Sequence, residues 1–476
     1  MKAFLAGMFA LTVLLLAPSV AGAVIISVNT TADEYGTGTD CSLREAITAA
    51  QGNVSFGGCP AGFGADTISL PNGTYKITRA GSGEDANATG DFDITGTNAL
   101  DIQPASSGDR VVIDGNGIDR VFDDSSSGLV KFLAVRITGG VLTAIEDGGG
   151  IRNLVGVTAL ENVTVDNNSS VQQGGGVAVY SNVQVLNSTV TGNEADGNGG
   201  GFYVPGGASL VARSTTIFGN KADADNNGNG YGGGFADTGS LNVSFTNVIN
   251  AGNSGTAIMP ANDAYDCYSG PQFFPRYTLS GQPMGPLDCL VGFNPGTNKV
   301  SSDVKVDSTL RYSGGQTPTL ALLSGSPAIG AGGSAAPDEC PALDQNNNSR
   351  PVGACDIGAV QFVPTPRLVI TKILPKKKVI RRNRKKVFTV VVKNVGTGAA
   401  TLTKACLKLP KASRKAFKFK GRKCRKLGIL AVNASKRAKI KLLAKPRAKP
   451  KVYKVKAIAS ATGVKAAPRA FKVKVK

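Results

Sequence analysis

The stretch GGGVAVYSNVQVLNSTVTGNEA, residues 174–195, decides how this chain is read. It opens on three glycines, runs through short β-branched segments of period two (Val183-x-Val185), and ends on asparagine, glutamate and alanine. Helical periodicity is absent. Three neighbouring stretches align with it, GGGIRNLVGVTALENVTVDNN from Gly148, GGGFYVPGGASLVARSTTIFGNKA from Gly199 and GGGFADTGSLNVSFTNVINAGN from Gly232. Their starts are 26, 25 and 33 residues apart, and the long interval carries the insertion DADNNGNGY. Short strands broken by glycine or asparagine at this period describe a three-sided parallel β-solenoid. Each coil stacks its aliphatic residues on those of the next, about 4.8 Å away. Glycines take the tight corners, and Asn167, Asn193 and Asn220 are expected to bond from coil to coil as a ladder.

A coil cannot bury its own interior, so the first one needs a cover. CSLREAI, at Cys41–Ile47, supplies it. Ser42 and Glu45 form a capping box. Leu43, Ala46, Ile47 and Ala50 share one face, and Gly52 is the expected stop. Such a short helix is unstable alone and must lie on something apolar. The segment 65–78 reads as the first rung, with Ile68, Leu70 and Tyr75 on it.

Residues 1–23 read as a secretory signal, with Lys2, an apolar run and the small-residue ending Ala21-Gly22-Ala23. No later stretch is long and apolar enough for a membrane span, so the mature chain is expected to lack one. Eight cysteines agree with export. Their spacing favours the local bridges Cys41–Cys59, Cys267–Cys289, Cys340–Cys355 and Cys406–Cys424.

Charge divides the chain. From Val363 to Lys476 there are 37 lysines and arginines and no acid; all 33 acids and the other 16 basic residues lie before it. VPTP, residues 363–366, reads as a stiff linker. The part from 367 to 476 alternates apolar residues with lysine, as in KVYKVKAIA (451–459), the pattern of half-buried antiparallel strands. About seven such strands suggest an immunoglobulin-like sandwich.

Several motifs resemble known families. CSLREAITAAQ (41–51), DTISLPNGTY (66–75), GDFDIT (90–95) and VVIDGNGIDRVF (111–122) are similar to exported bacterial proteins of the CSLREA type. The GGG-and-Asn repeats resemble coils of polymorphic outer-membrane proteins. SGSPAIGAG (324–332), DQNNNSRP (344–351) and CDIGAVQF (355–362) resemble the closing module of the choice-of-anchor family, although the asparagine run replaces a tighter turn. VVKNVGTGAATLTKACLKLP (391–410) and LGILAVNASKRAKIKL (427–442) resemble adhesion-type sandwich modules. These resemblances imply an all-β protein: a right-handed parallel β-helix over 24–362, with an N-terminal cap at 24–64 and a closing module at 324–362, followed by an immunoglobulin-like sandwich. They imply an extracellular or envelope location and no single activity.

The absence of histidine removes catalytic triads, and with no C-x-x-C it argues against zinc. Asp91/Asp93 and Asp123/Asp124 are the close acid pairs. In GDFDIT both aspartates alternate with Phe92 and read as outward, solvated carboxylates, so no catalytic residue is assigned. Asp223, Asp225 and Asn227 begin like a calcium loop, yet the twelfth position is Gly234 rather than Glu. The densest basic run comprises Lys376, Lys377, Lys378, Arg381, Arg382, Arg384, Lys385 and Lys386. A field of this kind relaxes against a polyanion. The expected partner is an anionic envelope polymer, acidic polysaccharide or membrane surface; no sequence-specific nucleic-acid motif appears. The expected function is that of a secreted or surface-associated structural, adhesion-type protein. The rival is a β-helix polysaccharide lyase or hydrolase with a basic targeting domain.

Overall fold

The computed structural model describes residues 22–255, 266–269, 272–281, 290, 296–333, 339–351 and 353–476. Nearly all of the signal segment and Cys289 lie outside the described residues. The chain divides into two compact units, 1–361 and 362–476.

Among the described residues the first unit is a parallel β-helix of three long sheets, with nine, seven and nine strands, and a short two-stranded one that pairs Ser169–Ser170 with Glu194–Ala195. The first sheet starts at Ile25–Ser27 and Asp66–Leu70, the second at Phe92–Ile94, and the third at Gly73–Lys76. Interior columns are in register. Ile68, Ile102, Phe132, Leu160 and Val185 stack along the first sheet. Phe92, Phe122, Ile151, Val177 and Phe202 stack along the second. All of these are buried in one continuous core. Burial of this kind is worth about 1.5–3 kcal/mol for each large apolar side chain.

The triple glycines are steric requirements of the corner. Gly174 has φ +64°, and a Cβ on Gly175 would fall 2.1 Å from the carbonyl oxygen of Glu194 at the end of the same repeat. The asparagine ladder exists, shifted by one residue at its start. Asn168 donates to Asn193 at 3.0 Å, Asn193 to Asn220 at 2.9 Å, and Asn220 to Asn253 at 3.0 Å. Asn167 instead takes the left-handed turn at φ 53° and turns its amide to Asp166. The ladder runs through buried positions, where an unpaired amide is costly.

The N-terminal helix spans Leu43–Gly52, and both halves of the Ser42–Glu45 capping box are present. It ends on Asn53 in the left-handed conformation, one residue beyond the expected stop. It packs against the first strands, but it is not simply amphipathic: Arg44 and Glu45 are buried along with the apolar face. The Arg44 guanidinium pairs with Asp33 at 2.6 Å, donates to the carbonyls of Gly90 and Asp91 at 2.8 Å each, and lies 4.7 Å from the Phe92 ring centre. The helix is thereby tied to the first rung of the second sheet.

Residues 316–333, 339–351 and 353–361 include contacts along the outer side of the third sheet. Thr164 donates to the Pro318 carbonyl and Thr189 to the Gln345 side chain, at 2.6 Å each, and the Ala359 N–H donates to the Thr216 hydroxyl at 3.0 Å. These three threonines point outward on successive coils and are buried by these contacts. The asparagine run makes a tight turn, with Asn347 at φ 62° and the Asp344 carboxylate accepting from the backbone of Asn346 and Asn348.

The second unit is an antiparallel sandwich. One sheet orders Leu368–Leu374, Lys385–Asn394, Ser435–Ala444 and Phe417–Phe419. The other orders Val379–Ile380, Arg469–Val475, Val452–Ala461, Ala400–Lys408 and Cys424–Leu430. Phe388, Ile440, Leu442, Val455 and Val473 fill the space between them.

Disulfides join Cys41–Cys59, Cys340–Cys355 and Cys406–Cys424, and Cys267 is disulfide-bonded. No helix among the described residues is long and apolar enough to cross a membrane.

Candidate functional site

The basic run occupies one connection of the sandwich. Lys376, Lys377 and Lys378 precede the short strand Val379–Ile380. Arg381, Arg382 and Arg384 form a turn around Asn383, which has φ 54°, and Lys385 and Lys386 open the next strand. The run is not uniform. The Lys386 ammonium donates to the carbonyls of Lys377 and Val379 at 3.0 Å each, and Lys378 lies over the Phe471 ring. These two hold the loop in shape, while Arg381, Arg382, Arg384 and Lys385 project into solvent.

The rest of the charge is set out by strand register. Lys454 stands opposite Lys472, Lys456 opposite Lys408, and Lys404 opposite Lys426. Like charges directly opposed across strands are destabilising, each by up to about 1 kcal/mol. No acid exists anywhere in 363–476 to relieve them. Alternation in the sequence places these lysines outward, but only register reveals that they face one another.

A second cluster lies on the outer side of the second sheet, where the readings of Asp91, Asp93, Asp123 and Asp124 need correction. They are 3, 2, 4 and 0 % exposed. Asp93 is outward in register beside Asp123 and Arg152, as alternation requires. It is covered, however, by the segment around Asn87, whose N–H donates to the Asp93 carboxylate at 2.9 Å. Arg120 pairs with Asp91 at 2.7 Å and Glu146 at 2.6 Å, and Arg152 forks onto Asp123 through Nε and Nη2. Asp124 faces inward and accepts from Thr158 at 2.5 Å. Burial pushes Asp91 up to about 7 against the opposing pull of Arg120. It pushes Asp93 to about 8, with the Asp91 charge adding to the rise, and Asp124 to about 7. Desolvation outweighs pairing at these positions.

Carboxylate oxygens of Asp85, Asp93 and Asp123 lie within 4.8 Å of one another, close enough to share a divalent cation. The calcium-like loop is differently arranged. Asp223 accepts from the Gly228 N–H at 3.0 Å, Asp225 from Asn227 at 3.3 Å, and Asn227 from Asn229 at 2.9 Å. These oxygens cap their own loop's backbone.

Aromatic residues are few in the sequence, yet four of its ten tyrosines form two pairs associated with this sheet, several rungs beyond the carboxylates. Tyr203 and Tyr268 share the outward column of Asp93, Asp123 and Arg152, with Ala178 and Ala236 between. Tyr180 and Tyr203 have ring centres 6.4 Å apart, and Tyr231 and Tyr268 have centres 5.9 Å apart. Tyr180 and Tyr268 are 37 % exposed, and the Tyr180 hydroxyl donates to Asp147. The sequence signal was the rung alignment itself, which places alanine and tyrosine in one column.

No family model matches the chain, and no curated protein matches it. Among solved structures, it is similar to the CARDB domain of a Pyrococcus furiosus protein in complex with di-metal ions. The identity is 17 %, over 23 % of this chain and 89 % of that one, with a TM-score of 0.18. A score so low carries no argument about fold or metal.

Proposed function

We propose that this is an exported, surface-associated structural or adhesion-type protein whose sandwich binds an anionic polymer of the cell envelope. The observation that carries the reading is the set of lysines opposed across strands in a unit without one acidic residue. Self-repulsion of this kind relaxes when a polyanion supplies the missing charge. The β-helix, of the CSLREA and choice-of-anchor kind by its motifs, carries a display face, and the disulfides suit an oxidising compartment.

The test compares residues 24–476 with residues 24–361 on immobilised polygalacturonate and on a polyol phosphate. The full mature chain is retained and the shorter one is not. Equal retention of both would refute the proposal.

A second reading is a polysaccharide-cleaving β-helix targeted by the sandwich. A carboxylate–arginine cluster and tyrosines further along the same outward column favour it. Glycosidic cleavage requires two reachable carboxyl groups. Asp93 and Asp123 would first have to be uncovered from the segment around Asn87. Release of reducing ends from a polysaccharide, lost in Asp123→Asn, would support cleavage; no release from any acidic or neutral glycan would remove it.

A further inference from the structure

The basic run singled out by the sequence is a convex loop. The sandwich also contains a concave site that sequence density does not mark. A cleft of about 690 Å³ opens between the short helix Lys411–Ala416 and the loop 445–451. Lys411, Lys415, Arg447, Lys449 and Lys451 line it, with Tyr453 at its edge. All five cations are exposed and have no acid within the unit to pair with.

The walls are fixed by bonds to backbone carbonyls rather than by the charged side chains. The Lys445 N–H donates to the Ala416 carbonyl at 2.8 Å, and Ser413 donates to the Lys454 carbonyl at 2.5 Å. The Tyr453 hydroxyl donates to the Lys449 carbonyl at 3.1 Å. Pro446 and Pro450 lie within or beside the loop and restrict its backbone. The backbone that carries the cations is therefore set around the concavity before any ligand arrives. Such preorganisation lowers the ordering cost of binding.

We infer that this cleft is the seat of the polyanion, and that the ligand is a flexible single-chain polymer bearing repeated phosphate groups. The inference rests on the polymer-binding reading above and gives it a site and a ligand class. Phosphate fits because Arg447 offers a bidentate fork and the lysines offer point charges around it; a carboxylate presents the same two oxygens to the fork, and the titration below separates the two. Single-stranded nucleic acid would need an exposed aromatic platform. Tyr453 is buried, and its ring already packs edge-on against Phe417 at 5.3 Å.

The experiment titrates residues 24–476 with inorganic polyphosphate, polygalacturonate and duplex DNA, by calorimetry across a salt series. One variant is Lys411→Ala/Arg447→Ala/Lys451→Ala. Its control removes equal charge from the convex loop: Arg381→Ala/Arg382→Ala/Lys385→Ala. The cleft variant is expected to bind polyphosphate at least tenfold more weakly and to lower the salt slope by about 2, at about 0.7 for each lost contact. The control should change affinity less than threefold. Arg447→Lys, which keeps the charge and fold but loses the fork, should give an intermediate loss. Equal weakening by the two triple variants would overturn the cleft while leaving polymer binding intact. Tighter binding of polygalacturonate or DNA than of polyphosphate would overturn the ligand class. No binding of any polymer by the parent chain would overturn both readings together.

Discussion

The two units treat charge in opposite ways. In the β-helix, acids and arginines are drawn under cover and matched: Arg44 with Asp33, Arg120 with Asp91, Arg152 with Asp123, Arg136 with Asp166. In the sandwich, cations stand outside and face one another without a counter-charge. Buried pairs fix how segments dock, because a lone buried charge is costly. Exposed, unmatched cations fix nothing internally; their energy is recovered only on contact with something negative. This contrast is what the proposal of attachment by the second unit builds on.

The largest expected effect probes the coil stack itself. Gly175→Val places a side chain against the Glu194 carbonyl. It should remove more than about 4 kcal/mol from the β-helix, read in calorimetry as loss or a large downshift of its transition. Next is Arg44→Met, which leaves Asp33 buried without its partner. A cost of about 3–5 kcal/mol is expected in chemical denaturation, and a cost under 1 would mean the pair does not hold the cap.

Asn193→Ala comes third. It breaks the ladder on both sides and should cost about 1–3 kcal/mol, against a small change for Asn167→Ala. That pair of variants also measures what sequence reading left ambiguous. Two adjacent asparagines end the repeat at 167 and 168, and composition cannot say which enters the coil and which takes the turn. Similarly, alternation put Asp93 correctly on the outer side, and then solvation was assumed. The cover comes from Asn87, contributed by a loop outside the repeat. The buried threonines of the third sheet were illegible for the same reason, since their partners lie about 150 residues downstream. Local period fixes which way a side chain points; what lies over it depends on distant chain. The cap, the corners and the aliphatic columns needed only local pattern, and those were read directly.

A smaller effect is expected from pH. Asp91, Asp93 and Asp124 are raised from 3.8 to about 7, 8 and 7 in the fold. Groups with raised folded values add stability that is full below their unfolded value and lost as pH climbs through the folded one. In EDTA, the β-helix should therefore melt at a lower temperature at pH 9 than at pH 5. The sandwich, with no Asp or Glu side chain, should show no comparable carboxylate-driven drop. A β-helix more stable at pH 9 would contradict the burial of these acids. The smallest effect sharpens the other side of the contrast. Lys454→Glu, opposite Lys472, should stabilise the sandwich by about 0.2–1 kcal/mol while weakening polymer binding.

The direct test of the account is the salt dependence of binding between residues 24–476 and polyphosphate. The logarithm of the association constant should fall linearly with the logarithm of salt, with a slope of about −3 or steeper if five cations each contribute about 0.7. A flat line across the same range would mean that the unmatched lysines do not make the attachment.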